Sequence, residues 1–509
     1  MDKRDAVEKR FAGFRLTGPA LLLLFAVSAM FQLLWLDRLP PVPVLGDEVI
    51  INDAPATMAE GHGLRAASYA GDYVHIDKLF AHFPPIYEWS QALAFRLFGF
   101  SAWSLRATTS FFALATVLVV LLLLRRLARV GWLSDTTALM TAVLYATCAP
   151  MIIVERMARM ESTVAFFAVL AFAVVLEQWS TQGRRSPLML SATLGVLLGL
   201  AMATHPEAIV AVALMAPAAL LSPVRFRGKL LAIGMLAVTP AAVWCLAYGG
   251  RSGEAFQQFR AILHNVPRDP SLAQALHDLF GGEASARSLL IVLIALLALL
   301  SPILMVARRR DVSMQSVPER LRWMLALGAA LVFVALNTVL RANPRRYEPL
   351  LPLLAISLVL VAVGQARWKS WGWALCGASV LFSLAMMGEY AHRALRDRVS
   401  SDPLRYQALV RSLPAGSYLA ADPFLWFELR RQHHPFTVIY STYDGRAAWS
   451  AGGRNPWTNF DGVILDERAE DLTPEMLRQL ESLHWNERRY AIGKQEILVY
   501  LRPGQSPGR

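Results

Sequence analysis

The sequence predicts a mostly α, polytopic membrane bundle of about 11 spans with a C-terminal α/β domain, and three observations predict it. Hydrophobic residues make up 55% of the chain and charged residues 17%, with a mean hydropathy of +0.40, a balance unlike that of a soluble enzyme. Apolar runs long enough to cross a hydrocarbon core of roughly 30 Å, at about 1.5 Å per residue, recur as far as residue 390. Beyond that point the runs shorten and charges become frequent.

The formal net charge of +12 does not point to nucleic acid. The Lys and Arg residues sit in short clusters between apolar runs rather than along one face or tail, the distribution of a membrane protein. The three cysteines, Cys148, Cys245 and Cys376, each fall inside an apolar run as small hydrophobes and imply no disulfide framework.

In chain order, a basic N-terminus (Lys3, Arg4, Lys9, Arg10, Arg15) precedes an apolar run over 16–36, too long for a signal-peptide core and without a small-residue cleavage pattern. It reads as a retained first helix. Further spans are expected at 104–124, 135–153, 162–179, 187–204, 207–222, 230–249, 287–307, 322–340, 349–366 and 371–390. Alternate short loops carry Arg125, Arg126 and Arg129; Arg184 and Arg185; Arg225, Arg227 and Lys229; Arg308 to Arg310; and Arg367 with Lys369. The positive-inside rule makes these cytoplasmic and puts the N-terminus inside and the C-terminal domain outside a cytoplasmic membrane. Residues 1–390 then form the membrane module and 391–509 an extracytoplasmic domain. In the latter, SYLAAD, FTVIYS, DGVILD and EILVYL read as strands, and FLWFELRRQ and TPEMLRQLESL as helices, the last with Thr473 as cap and Pro474 at its first position.

The outward-facing segments hold the residues able to do chemistry. GDEVIIND puts Asp47 and Glu48 side by side after a stiff Pro-rich lead and reads as the rim of an active site; on composition alone a solvated turn reads equally well, and the next two segments tilt the balance. HFPP (His82 to Pro85) opens an amphipathic helix, IYEWSQALAFRLFGF, expected in the membrane interface with Trp89 and Phe95 as anchors. ERMARMEST carries Glu155, Arg159 and Glu161. Charge-paired capping accounts for Glu155, but Arg159 and Glu161 stand where the next span begins and need partners there. The turn HPE at 205–207 faces the same side.

The ordered series GDE, GHG, HFPPIYEW, FRLFGFSAWSLR, RMARMESTVAFF and, far downstream, RRYEPLLPLL resembles the GT-C fold glycosyltransferases that use a polyprenyl-phosphate sugar. Within them it is similar to the branch of protein O-mannosyltransferases and lipid A aminoarabinose transferases. The resemblance covers about the first 180 residues and returns at Arg345 to Leu354. It implies that Asp47 is the general base, that Glu48 is its neighbour in the acidic motif, and that Glu161 matches the second acidic position. The leaving group would be a lipid phosphate, whose growing charge needs cations. Arg345, Arg346 and Tyr347 are the first candidates, since cations at an outer helix end go against the positive-inside bias, and Arg159 is next.

His82, Pro84, Pro85 and Tyr87 would line the rim. Phe83 stands where the aminoarabinose branch has lysine, and Ile50 where it has arginine, so other groups must hold the phosphate. His82 and His264 are candidate ligands for a divalent metal, although a lone interfacial histidine is more often structural. The expected partners are a polyprenyl-phosphate sugar donor, membrane lipids and a lipid, glycan or protein acceptor, with no nucleic acid. The alternative function is a transporter or flippase of lipid-linked sugars, against which the chain shows no matched halves.

Overall fold

The structure, a computed structural model, describes residues 16–34, 36–37, 45–69, 76–147, 152, 155–180, 186–265, 369–396, 404–439, 456–466, 474–493 and 495–504. Its helical part comprises α1 (Gly18–Leu33), α2 (Leu45–Ala59), α3 (Ile86–Phe98), α4 (Ala102–Arg129), α5 (Asp135–Ala146), α6 (Glu161–Ser180), α7 (Pro187–Met202), α8 (Ile209–Leu220), α9 (Phe226–Tyr248), α10 (Ser252–Asn265) and α11 (Lys369–Arg396). Eight of the expected spans coincide with helices, namely α1, α4 to α9 and α11; those at 287–307, 322–340 and 349–366 lie outside the described residues.

Among the described residues three helices are long and apolar enough to cross a membrane: Ala102–Arg129, Glu161–Ser180 and Phe226–Ala261, the last combining α9 with the start of α10. By contrast α5 and α8 have 12 residues each, about 18 Å of helix, shorter than the spans expected from the apolar runs. The run that contains α8 is shortened at both ends: Pro206 opens a 3-10 turn before it, and Pro223 follows its end at Leu220.

The bundle core forms where α4, α6, α7 and α8 turn Leu121, Leu124, Phe172, Val175, Leu198 and Leu214 toward one another. Helices α7 and α9 pack most intimately because glycine removes side chains between them. Gly195 and Gly199, one turn apart in GVLLG, let the backbones approach, and a Cβ at Gly199 would lie 2.6 Å from Thr239 Cβ. This small-residue seam is legible in the sequence but absent from the expectations above.

Two segments depart from expectation. GDE, read as a rim with a solvated turn as the alternative, is the first turn of α2, where acidic residues suit the helix N-terminus and Val49, Ile50, Ile51 and Ala54 are buried. Helix α3 exists as expected, but Phe95 is buried against Phe100, so it is no membrane anchor. The exposed apolar residues of α3 are Leu93, Leu97 and Phe98.

The C-terminal part contains α12 (Gln407–Arg411), β1 (Leu419–Ala421), α13 (Trp426–Arg431), β2 (Phe436–Val438), β3 (Gly462–Asp466), α14 (Pro474–Glu481), β4 (Asn486–Ile492) and β5 (Gln495–Leu501). The strands form one mixed sheet in the order β2-β1-β3-β5-β4, with β1 parallel to β2 and β3, and β5 antiparallel to β3 and β4. Strand β4, with Glu487, Arg488 and Arg489 exposed in succession, lacks the apolar alternation that revealed the others. Pro474 starts α14 as read; Thr473 lies outside the described residues.

The sheet is not an independent bead. Trp426, Leu429, Ile464 and Val499 join Val49, Ile51, Tyr87 and Phe95 in one hydrophobic cluster. The C-terminal sheet therefore caps one end of the bundle through α2 and α3.

Candidate active site

The capped end of the bundle is built around α2. Glu48 is buried and its carboxylate accepts three hydrogen bonds: Arg106 Nε to Oε1 at 3.2 Å, Arg106 Nη2 to Oε2 at 3.1 Å, and the backbone N–H of Ala158 to Oε1 at 2.8 Å. Arg106 also donates to the carbonyl of Leu36 at 3.3 Å. This pairing fixes α2 to α4 and to the turn before α6. A buried carboxylate with three hydrogen bonds on it, two of them from a charged guanidinium, is a positioning group rather than part of an open rim.

One helical turn on, Asn52 donates to the carbonyls of Glu48 and Ala158, both at 2.8 Å, and accepts from Tyr87 Oη at 3.2 Å. Tyr87 is fully buried, and burial pushes its phenol well above the ordinary tyrosine range. Thr109, on α4, donates to the Arg159 carbonyl at 3.1 Å. The RMARME turn is held at its other side by Arg156, which donates to the last carbonyls of α1, Phe31 at 2.5 Å and Leu34 at 2.6 Å.

Beyond this turn Arg159 donates to Glu161 Oε1 from Nε at 2.9 Å and from Nη2 at 2.5 Å. Glu161 is buried, and no other residue among those described donates to its Oε2. Both expected residues thus find the partner their position demands, and it is each other. His205, at the end of α7, interacts electrostatically with Glu161 and with His82. Phe83 sits between the histidines, its ring 4.3 Å from that of His82 and 5.5 Å from that of His205. Burial, with a smaller contribution from His205, pushes the His82 imidazole down to about 4, so it is neutral at pH 7 and meets an anion as a hydrogen-bond donor, not as a cation.

The HFPP turn is held rigidly. Tyr248 Oη donates to the Phe80 carbonyl at 3.0 Å, Gln258 Nε2 donates to the Leu79 carbonyl at 2.7 Å while its Oε1 accepts from Ala81 N–H at 2.6 Å, and Ile86 N–H donates to the Ala203 carbonyl at 3.2 Å. Pro84 and Pro85 are buried and lead directly into α3. In the first turn of α3, Glu88 is fully buried, no other described residue donates to either of its oxygens, and burial pushes it up to about 8.

The sheet docks through Asp53, which is fully buried on α2. Its carboxylate accepts from Ser68 N–H at 2.8 Å, Ser68 Oγ at 2.7 Å, Trp426 Nε1 at 2.7 Å and Arg430 Nη1 at 2.6 Å. Arg430 Nη2 also donates to Thr57 Oγ1 and to Glu60, each at 2.9 Å.

A sequence comparison matches residues 71–245 to the dolichyl-phosphate-mannose-protein mannosyltransferase family. The structure is similar to the crystal structure of ArnT from Cupriavidus metallidurans bound to undecaprenyl phosphate, with 15% identity over 97% of this chain and 100% of that one and a TM-score of 0.62. The chain has the GT-C fold. The apo form of the same ArnT gives 15% identity over 94% and 97% of the two chains and a TM-score of 0.61. An Archaeoglobus fulgidus oligosaccharyltransferase tethered to an acceptor peptide gives 12% identity over 96% and 73% of the two chains and a TM-score of 0.52. At these identities the likeness is one of fold. No curated protein matches the chain.

In this fold the described segments singled out by sequence meet at one end of the bundle. Asp47 lies in the first turn of α2, one residue before Glu48; its side chain is outside the described residues. Arg345, Arg346 and Tyr347 are outside them altogether, as is the side chain of His264. Among the described residues no group of three or more His, Cys, Asp and Glu side chains is placed to hold a metal ion. Sequence reasoning missed Asn52, Asp53, Arg106 and His205. Asn52 and Asp53 end the GDEVIIND string and Arg106 ends FRLFGFSAWSLR, so each was quoted but not weighed.

Proposed function

We propose that the protein moves a sugar from a polyprenyl-phosphate donor to an acceptor hydroxyl or amine at the outer face of the cytoplasmic membrane, with inversion at the anomeric carbon and Asp47 as general base. The supporting observation is the convergence of four chain segments, the start of α2, the HFPP turn, the RMARME turn and the end of α7, tied together by buried hydrogen bonds. Preorganised polar groups at a membrane-facing end suit a reaction whose electrophile hangs from a lipid.

In the reaction the acceptor O–H or N–H gives its proton to the Asp47 carboxylate. The freed lone pair bonds to the anomeric carbon, and the bond to phosphate breaks with its electrons leaving on the phosphate oxygen. The phosphodiester, with one negative charge, becomes a monoester that carries more, so cations facing the leaving oxygen stabilise the transition state. Arg345 and Arg346 take that role, with neutral His82 as a hydrogen-bond donor to the phosphate or the sugar.

The test is transfer from a labelled polyprenyl-phosphate sugar by purified protein. Asp47→Asn removes the proton acceptor at nearly constant volume, and turnover should fall by about 10²-fold or more with the fold intact. Wild-type turnover in that variant excludes Asp47 as the base. Arg346→Ala should weaken donor binding more than acceptor binding; unchanged donor affinity removes it from the phosphate site.

A further inference from the structure

At the end of the bundle opposite the candidate active site, the last turns of α6 and α8 and the first turns of α7 and α9 enclose a cleft of ≈ 170 Å³. Its depth is wholly aliphatic, with Leu194 and Leu198 of α7, Met215 of α8, and Ile233 and Leu236 of α9. That volume is of the order of an engineered apolar cavity of about 150 Å³ that takes up benzene, so it accommodates several methylenes rather than a whole lipid.

The mouth is different in kind. Lys229, half-buried, lines it, and Arg225 and Arg227 stand exposed on the same loop and first turn of α9. Gln178, buried at 5% exposure, also lines the cleft, and no described residue donates a hydrogen bond to its Oε1. The nearby carboxylate, Glu177, is already paired with Arg126. The cleft thus offers an apolar slot, net positive charge at its opening and a buried acceptor that needs a donor.

We infer that this cleft binds one acyl chain of an anionic glycerophospholipid whose headgroup carries a hydroxyl. Lys229, with Arg225 and Arg227 beside it, faces the phosphate. The headgroup hydroxyl donates to Gln178 Oε1, the one requirement that a headgroup without a donor, such as phosphocholine, leaves unmet. The cleft lies at the other end of the bundle from the HFPP and RMARME turns, and the inference does not rest on the base proposed above.

The experiment is native mass spectrometry of the full-length protein released from bilayers of mixed phosphatidylglycerol and phosphatidylcholine. Wild-type protein should retain one phosphatidylglycerol in preference to phosphatidylcholine. Ala216→Leu, which fills the slot, should abolish that retention. Lys229→Gln, a conservative change at the mouth that leaves the packing alone, should lower it about fivefold, the effect of one membrane-surface cation. All three proteins should transfer sugar at the same rate. Equal retention by wild type and both variants, equal retention of the two lipids, or a retained polyprenyl phosphate in place of the glycerophospholipid overturns the inference.

Discussion

Neutralising Glu48 separates a positioning acid from a catalytic one. Its pairing with Arg106 is buried on both sides, at 3% and 2% exposure, and the same carboxylate accepts the Ala158 N–H. Glu48→Gln keeps one oxygen for Ala158 but turns an amide toward the guanidinium and removes the Glu48 carboxylate from the buried Arg106. Breaking one side of such a pair costs about 3–5 kcal/mol, whereas replacing both sides by apolar residues is often close to neutral.

Glu48→Gln should therefore lower unfolding free energy by that amount, and Glu48→Met with Arg106→Met together should recover most of it. The coupling in the double-mutant cycle should be at least about 2 kcal/mol. Unfolding can be followed by denaturant titration in mixed micelles, with transfer activity measured at a temperature where each variant is folded. A loss below about 1 kcal/mol for Glu48→Gln, or additive effects in the cycle, would refute the assignment of Glu48 to positioning.

Other consequences follow from the same contacts. Asp53→Ala leaves Arg430 Nη1 and Trp426 Nε1 without their acceptor, while Arg430 Nη2 keeps Thr57 and Glu60, and should cost about 1–3 kcal/mol, seen as earlier proteolytic release of the C-terminal sheet than in wild type. Gly199→Val pushes a branched side chain into Thr239 and should destabilise by about 1–3 kcal/mol or part α7 from α9; unchanged stability would deny the close approach. Glu88, protonated in the fold up to about 8 against an ordinary 4.5, binds a proton that the unfolded chain has lost, so its contribution to stability fades as pH rises from 4.5 to 8. Glu88→Gln should remove that slope, and thermal unfolding at pH 5 and pH 8 should show a larger gain over wild type at pH 8. His82 acts in the opposite sense: with its value lowered from 6.5 to about 4, stability is lost as pH falls through that window, and His82→Asn should flatten the acid limb.

The bundle was legible because hydrophobic length is read directly from sequence. Its fine structure was not, since Pro206 and Pro223 cut one apolar run to the 12 residues of α8 and a glycine seam rather than a hydrophobic face joins α7 to α9. In the sheet, β3 and β5 announced themselves by continuous β-branched and aliphatic residues, while β4 hid behind Glu487, Arg488 and Arg489 because an edge strand needs few apolar residues. Arg159 and Glu161 were recognisable as residues that required partners, since charge at the start of a span is costly alone. That Arg106 belongs to Glu48, 58 residues away, and Arg430 to Asp53, 377 away, has no local signature at all. Such pairs follow from tertiary approach, and a single sequence does not encode who meets whom.

The three acids of α2 show why a conspicuous carboxylate is a poor guide to role until its neighbours are known. At about 100° per residue, positions 47, 48 and 53 fall in three sectors around the helix, about 100°, 140° and 120° apart. Glu48 occupies the sector that meets α4, and Asp53 the one that meets the C-terminal sheet. Glu48 accepts three hydrogen bonds and Asp53 four, in each case with an arginine among the donors, which stabilises the ionised form and disfavours uptake of a substrate proton. Position 47 belongs to the remaining sector, and the two buried ion pairs fix the rotation of the helix about its axis. Loosening either clamp should therefore reduce turnover without touching the base. In folded Glu48→Gln or Asp53→Asn protein kcat should drop while the acid limb of the pH–rate profile, which reports the base, stays in place. A shift of that limb in either variant would mean that the clamped acid, and not Asp47, takes the proton.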